Sequence, residues 1–418
     1  METINKYKIL KINYLILVLV LYATSVNSQT LNDYLSMASQ NNPEIQSAYK
    51  EFEAALQKAP QVSSLPDPSL TMSAFGRMIE TRVGAQEARF SLMQMFPWFG
   101  TLEAKKNAAN LMAEATFQNY LDSRNEVFLM VKNSYAEIYE INKMIHLEEK
   151  NLEILDNYRE LALSKFKNGK GAMVDVVRID IKRNESATNI QLLKDQNEPF
   201  QIEFNSLLNR ELDVSINIHD SLIIVENKVP FEKDSLFNSN PKLIRLDKKL
   251  LSLEAEKVAE RKEGLPMIGL GLDYSIISKR DVPGLEMNGQ DAIMPMLTVT
   301  LPIFRKKYNA KQKEVDFMMQ ATTFEKQAIK NKLQTNYSMA SYNISKAKTL
   351  KALYIKQTES TQQAISLLIA AYSNSGTDFD EILRMNQDLL MLQTATVTAN
   401  KNQFIAQSSI DYLISKQE

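Results

Sequence analysis

No proline interrupts residues 98–198, and none follows Pro302. Seven of the 11 glycines also lie outside these stretches. Gly76, Gly84 and Gly100 form one cluster, Gly264, Gly269, Gly271, Gly284 and Gly289 another, and only Gly169, Gly171 and Gly376 stand apart. Glycine costs a helix interior about 1 kcal/mol and proline about 3, so residues 101–167 and 305–375 predict two uninterrupted helices. Each would run roughly 100 Å at ~1.5 Å per residue, against a usual length of about 11–12 residues. Gly169, Gly171 and Gly376 then mark tip turns, and a second helix returns from each, over 174–197 and onward and over 379–415. Inside the first window Phe128, Val131, Tyr135, Ile138, Asn142 and Ile145 step by threes and fours, a heptad-like seam with one polar seat. The chain therefore builds two helical hairpins of unusual length.

The glycine clusters follow a different period. Ile268, Leu270, Leu272, Tyr274 and Ile276 alternate with Gly269, Gly271, Asp273, Ser275 and Ile277, and Leu297, Val299 and Leu301 alternate with Met296, Thr298 and Thr300. Period 2 with a bulky apolar face is the pattern of a strand. Strands are expected at about 267–277 and 293–301, with an earlier and less tidy pair at about 69–75 and 88–96. Strands of ~9–11 residues have the length that crosses a bilayer, and the same alternation also fits a soluble hairpin with one buried face.

The order of motifs occurs twice. Asn42-Pro43 returns as Asn240-Pro241, Leu65-Pro66 as Leu265-Pro266, and Phe96-Pro97-Trp98-Phe99 as Leu301-Pro302-Ile303-Phe304. The tips align as Phe166-Lys167-Asn168 and Tyr372-Ser373-Asn374. Pro97, Trp98 and Pro302 mark the strand-to-helix junctions. One helix–strand–strand–hairpin unit is thus used twice, over 29–213 (hairpin 101–209) and 241–418 (hairpin 305–416), joined by a linker at 214–240. Two units supply four strands, whereas small bacterial barrels have about eight. Open strand edges in lipid cost several kcal/mol per unpaired group, so other copies of the chain must complete the wall.

Composition narrows the function. With 49 basic and 50 acidic residues the formal charge is −1, which gives no electrostatic basis for nucleic-acid binding. There is no cysteine, hence no disulfide, thiolate metal site or cysteine nucleophile, and only His146 and His219 could serve imidazole chemistry. No phosphate-binding loop is present; Asn168-Gly169-Lys170-Gly171 is too short and sits at a helix tip. The chain reads as no enzyme, with no cofactor and no metal site. At the N-terminus Lys6, Lys8 and Lys11 precede an apolar run at 14–21 and small residues to Ser28, the layout of a secretory signal over 1–28. Cleavage before Gln29 leaves a mature charge of −3.

These pieces resemble the TolC family of outer-membrane efflux proteins over essentially the whole mature chain. They are Leu31, Leu35 and Ala38 leading to Asn42-Pro43-Glu44-Ile45 and Ala48; Leu65-Pro66-Asp67-Pro68-Ser69-Leu70; Gln94-Met95-Phe96-Pro97-Trp98-Phe99-Gly100; and Phe204-Asn205-Ser206-Leu207-Leu208-Asn209-Arg210. The resemblance implies a mainly α fold with a small membrane β part. Three chains would share a 12-stranded outer-membrane β-barrel and a long periplasmic α-barrel. It also implies a homotrimer in outer-membrane lipid that docks a periplasmic adaptor and an inner-membrane pump of the RND or ABC type. In such ducts inward carboxylates ring the hairpin tips, and the matching positions are Asp175, Asp378, Asp380 and Glu381. Arg178 and Arg384, further along each return helix, would pair with those acids. Acids in a first helical turn also complement its dipole without any such role.

Two other readings remain at this stage. A soluble periplasmic coiled-coil adaptor would use a similar hairpin, though it needs only one. Heavy-metal export is the other: Met72, Met78, Met93, Met95, Met267, Met294 and Met296 fall near the strands, and thioethers bind Cu(I) or Ag(I). Trp98, with Phe96, Phe99 and Tyr274, is a candidate interfacial aromatic belt. The cargo has no signature in the sequence.

Overall fold

The computed structural model describes residues 30–218, 221–224, 236–375 and 379–415. The signal segment, His219, Gly376 and Asp378 lie outside the described residues. The elements run α1 (Leu31–Asn41), α2 (Pro43–Leu56), α3 (Lys58–Ser63), β1 (Ser69–Thr81), β2 (Gly84–Phe96), α4 (Thr101–Lys167), α5 (Met173–Leu207), α6 (Pro241–Glu263), β3 (Ile268–Ser278), β4 (Ala292–Val299), α7 (Lys306–Ser375) and α8 (Phe379–Leu413). Helices α4 and α7 have 67 and 70 residues. Helix α5 carries Pro199 without ending there and continues to Leu207.

The four strands make one antiparallel sheet in the order β1-β2-β3-β4. Strands β1 and β2 are longer than the alternation indicates, reaching Thr81 and starting at Gly84. The register between them shifts between Ala74 and Ile79. Four residues of β1, 75–78, stand there against one of β2, and this odd excess of three reverses which side chains share a face, so the period-2 pattern is lost although the pairing goes on. Helices α2 and α3 follow α1 in the first half, whereas α6 alone precedes β3 in the second; the repeated Asn-Pro pair sits in both halves.

By contacts the chain divides into two compact units. One comprises Met1–Pro43, Glu126–Lys228 and Met339–Ile410. Here α4 is buried almost all round over residues 131–141, rather than along one seam. Val131, Tyr135 and Ile138 are buried as the heptad reading expects, and so are Ala136, Tyr139 and Ile141. Lys132, Ser134 and Glu140 are buried there as well, so the other sides of the helix are covered although they are polar. Tyr34 of α1 packs edge-on to Phe204, ring centroids 5.1 Å apart, and near Tyr135. Lys401 of α8 lies half-buried between Glu137 and Glu140, 3.0 and 2.8 Å away.

The other unit comprises Glu44–Asn125, Val229–Ser338 and Asp411–Glu418 and contains the sheet. Leu236, Phe237, Leu243, Leu333 and Leu413 form its helical core. Ion pairs flank α6, among them Arg245–Glu325 at 2.9 Å and Lys248–Glu114 at 2.6 Å. Exposed pairs of this kind add ~0–1 kcal/mol each, so the apolar core carries the packing.

The repeated asparagines have a common structural task. Asn42 donates its side-chain amide to the Leu207 carbonyl at 2.8 Å, and Asn240 donates to the Leu413 carbonyl at 2.9 Å. Each satisfies a carbonyl at the C-terminal end of its own half's return helix, α5 or α8, where intrahelical donors run out. Asn240 also caps α6 by accepting from the Lys242 N–H at 3.0 Å. The motif at 204–210 is a second such device. Helix α5 ends with the Arg210 N–H on the Asn205 carbonyl at 3.2 Å, the Asn209 N–H on the Ser206 carbonyl at 3.0 Å, and Asn209 at φ 49°.

Candidate functional site

The sheet has two chemically distinct faces, fixed by the β2–β3–β4 register. Leu92 pairs with Leu272, and Leu272 with Pro295; Phe90, Tyr274 and Ile293 form the next row, and Leu270 and Leu297 another. This face is apolar yet open: Leu297 is 70% exposed, and Met72, Leu92, Leu270, Leu272 and Ile293 are also exposed. A continuous apolar surface of this kind needs an apolar partner. On the opposite face Ser91 pairs with Asp273 and Arg89 with Ser275. Asp273 is 1% exposed and accepts from both Arg89 and Ser91. Gln86 donates to the Ser275 hydroxyl at 2.6 Å. No helix of the described residues is long and apolar enough to cross a membrane.

Glycine on the polar face makes room for methionine. A Cβ on Gly269 would fall 2.5 Å from Met95 Sδ and 3.1 Å from Met93 Sδ, and one on Gly271 2.7 Å from Met93 Cε and 3.1 Å from Met296 Cε. Three of the seven methionines near the strands thus converge on two glycines. Among the described residues no group of three or more His, Asp or Glu is placed to hold a metal ion, and His146 is exposed on α4.

Both outer edges of the sheet, β1 and β4, lack a neighbouring strand among the described residues. The Thr300 N–H donates to the Met267 carbonyl at 3.0 Å, so even-numbered residues of β4 turn their N–H groups to β3. Pro295 therefore turns its missing N–H to the open edge, the place where proline interrupts no existing ladder. At the junctions Trp98 accepts the Thr101 N–H at 3.0 Å as α4 begins. Pro302 is the centre of a three-residue turn closed by the Ile303 N–H on the Leu301 carbonyl at 2.9 Å. Trp98 and Phe99 meet edge to face, centroids 6.0 Å apart, with Phe99, Leu301, Ile303 and Phe304 largely exposed.

At the tips, α4 ends in a motif that requires a left-handed residue. The Lys170 N–H reaches the Lys165 carbonyl and the Gly169 N–H the Phe166 carbonyl, both at 2.9 Å, with Gly169 at φ 66°. Gly171 follows, and a Cβ there would press on Lys165, with 3.1 Å to its own Cβ. Under the turn Leu155, Tyr158, Val176, Ile179, Tyr372 and Phe379 are buried together, from both hairpins. The aligned tip aromatics part company: Tyr372 is buried, while Phe166 is exposed.

The acids singled out from the sequence have unlike surroundings. Asp175, in the first turn of α5, is buried, and its charge adds to the burial that raises the Tyr372 phenol above its ordinary pKa. Asp380 lies 3.6 Å from Arg178 and 2.7 Å from Arg384. The structure thus brings both arginines to one carboxylate. Glu381 is exposed. Sequence reasoning missed Lys165, which donates to the Tyr372 carbonyl and places its ammonium 4.1 Å from the Tyr372 ring centre. The only signal was the alignment of Tyr372 with Phe166 in the two tips.

Residues 34–203 match the family model described as outer membrane efflux protein. No curated protein matches the chain by sequence. Among solved structures, the outer-membrane channel OprN superposes with a TM-score of 0.75 at 15% identity, covering 93% of this chain and 90% of OprN. VceC from Vibrio cholerae, an outer membrane protein, gives 0.73 at 13% identity, with 92% and 95% covered. CusC, a structure described in terms of folding and transmembrane channel formation, gives 0.77 at 14% identity, with 92% and 91% covered. At these identities the likeness is one of fold.

Proposed function

We propose that this chain belongs to the outer membrane efflux protein family, whose model matches residues 34–203, and works as one third of a trimeric exit duct. The observation that carries this reading is the four-stranded sheet, with an apolar outer face, a polar inner face and two unpaired edges. Three copies joined β4 to β1 would close 12 strands and leave no edge in lipid. The inner face, bearing Arg89, Ser91, Asp273 and Ser275, would line a water-filled duct. The soluble adaptor reading offers no use for an exposed apolar sheet face or for a second hairpin. Residues 1–28 serve as the export signal, and 29–213 and 241–418 as one duplicated unit, a reading supported by the matching tasks of Asn42 and Asn240.

In this role the duct moves nothing by itself. Export is driven by an inner-membrane pump, coupled through a periplasmic adaptor that grips the hairpin tips. Asp175, Asp380 and Glu381, with Asp378 outside the described residues, would give the tips a cation preference. Arg178 and Arg384, already on Asp380, would hold that aperture narrow. The test is conductance of purified trimers in a planar bilayer under a salt gradient. Asp175→Asn, Asp380→Asn and Glu381→Gln together should shift the reversal potential toward zero selectivity; an unchanged potential removes these acids from the aperture.

A second reading concerns cargo. Met93, Met95 and Met296 converge about Gly269 and Gly271 on the duct face, and soft thioethers suit Cu(I) or Ag(I). Replacing the three by leucine should lower silver tolerance in cells that depend on this duct while leaving organic cargo export intact. Equal tolerance would sever the methionines from metal export.

A further inference from the structure

Apolar residues alone do not tell the two hairpins how far along each other to pack. On α8, Leu383, Leu390, Val397 and Phe404 stand seven residues apart, as do Met385, Leu392, Ala399 and Ala406; on α4, so do Val131, Ile138, Ile145 and Leu152. Sliding α8 along α4 by one heptad, ~10 Å at ~1.5 Å per residue, puts an apolar residue back in most of these seats. The tip cluster tolerates one register, because Tyr372 and Phe379 of the second hairpin pack with Leu155, Tyr158, Val176 and Ile179 of the first.

Polar side chains mark that register. Asn386 of α8 is buried and donates to Asn151 Oδ1 of α4 at 2.7 Å. Asn151 donates to the Ser186 hydroxyl at 3.3 Å, and Ser186 to the Glu148 carboxylate at 2.6 Å, which also accepts from Asn189 at 3.1 Å. The second hairpin thus plugs a buried amide into a polar socket made by α4 and α5. Further from the tips Thr398 donates to Glu140 at 2.6 Å, and Lys401 Nζ lies 2.8 Å from Glu140 and 3.0 Å from Glu137. The 11 residues from Asn151 back to Glu140 are matched by the 12 from Asn386 on to Thr398, and the three from Glu140 to Glu137 by the three from Thr398 to Lys401. One antiparallel register therefore satisfies both places. A slip of seven residues either way would set Phe379 or Gln393 against Asn151, Met391 or Ile405 against Glu140, and Thr394 or Ser408 against Glu137. Either slip leaves two acids side by side without the cation between them, and carboxylates stranded inside a protein are strongly unfavourable.

We propose that Asn386 and Lys401 are positioning residues that select the register of the second hairpin on the first and so bring the two tips level. Their task is the choice between registers and not the stability of the chosen one. A buried polar group that finds its partners recovers about what its desolvation costs, so an apolar layer of similar shape holds as firmly. What the apolar layer lacks is a penalty for slipping. This packing lies within one copy, so it holds whether or not three copies form a duct.

The absence of cysteine lets two spin labels be placed at chosen sites, Glu160→Cys on α4 and Asn402→Cys on α8, both exposed. Pulsed EPR on the mature full chain in vesicles, diluted with unlabelled chain, reads their separation within one copy. Along the helices it is roughly 35–40 Å in the register described, and the otherwise unaltered chain should give one narrow peak. Moving the lysine by one heptad, Lys401→Ser with Ser408→Lys, should carry α8 with it and shorten the distance by roughly 10 Å. Replacing the polar groups together, Glu137→Leu, Glu140→Leu, Asn151→Leu, Asn386→Leu and Lys401→Leu, should keep or raise the urea midpoint while splitting the peak into components about 10 Å apart. Lys401→Arg should keep the single peak. A shifted or split peak in either the moved or the apolar variant supports the proposal. A single unshifted peak in every variant that folds overturns it, as does failure of both to fold, which would make these groups stabilisers. Two peaks in the otherwise unaltered chain overturn it as well.

Discussion

The sheet and the hairpin tips treat their carboxylates in opposite ways. Asp273, in mid-strand, is 1% exposed and accepts from Arg89 and Ser91, both placed by the strand register. Asp380, at the tip, keeps its side chain 29% exposed between two arginines that reach it from α5 and from its own helix. The register fixes the backbones of Asp273, Arg89 and Ser91 side by side, and the Asp273 carboxylate is closed off even though the Arg89 side chain is 38% exposed. The two tip arginines have side chains 44% and 74% exposed, and they meet a carboxylate that is itself partly exposed. Exposed pairs of this sort exchange with water at little cost. The sheet is built to stay as it is, and the tips are built so that their ion pairs can be replaced.

The largest expected effect tests the faces of the sheet. Leu272→Arg puts a charge on the apolar face and should destabilise the folded barrel by about 2–4 kcal/mol if that face meets lipid at depth. Thr298→Arg, on the other face of β4, should cost far less. Folding yield into vesicles and urea midpoints of the two variants measure the difference. Equal penalties would show that both faces see the same solvent and would break the comparison. Next in size is Asp273→Ala, which strands the Arg89 guanidinium and the Ser91 hydroxyl. A loss of about 1–3 kcal/mol is expected, read as a lower midpoint with no change in the tip conductance.

How much of this was visible in the residues depends on the range of the interactions. The long helices follow from missing Gly and Pro, a local cost paid residue by residue, and α4 and α7 have the lengths that cost implies. Strands β3 and β4 follow from alternation, also local. Strand β1 beyond Ala74 does not, because the register shift hides its period. At the tips the acids were visible, and the arginines too. Their meeting on one carboxylate depends on how two hairpins 200 residues apart pack, and Lys165 on Tyr372 spans the same separation. The near-complete burial of residues 131–141 has the same origin: it needs helices from three parts of the chain, and periodicity in one of them records only the strongest contact.

A smaller effect sharpens the tip side of the comparison. Asp380→Asn removes a charge from two exposed pairs and should cost only ~0.2–1 kcal/mol. Its consequence should appear in gating, as a larger fraction of time in the conducting state in single-channel records. A thermal penalty as large as that of Asp273→Ala would show that the tip pairs are as fixed as the sheet's, and the contrast would fail.

The smallest effect lies just behind the tips, where Asp180 of α5 accepts from Arg159 of α4 at 2.7 Å and from Arg183 at 3.3 Å. The hydrogen bond from Arg159 is the chief reason that the Asp180 carboxyl titrates below its ordinary range. A lowered folded pKa means that the ionised form is the one stabilised. The contribution is therefore complete above the unfolded value of about 3.9, and it fades as pH falls through the lower folded value. With both partners partly exposed, the gain is small and screened by salt. Comparing urea midpoints of wild type and Asp180→Asn at neutral pH and below pH ~3 should show a gap that closes on acidification. A gap that persists in acid would mean that Asp180 acts through shape alone, and that the α4–α5 hairpin, like the sheet, is held by fixed geometry up to its last turns.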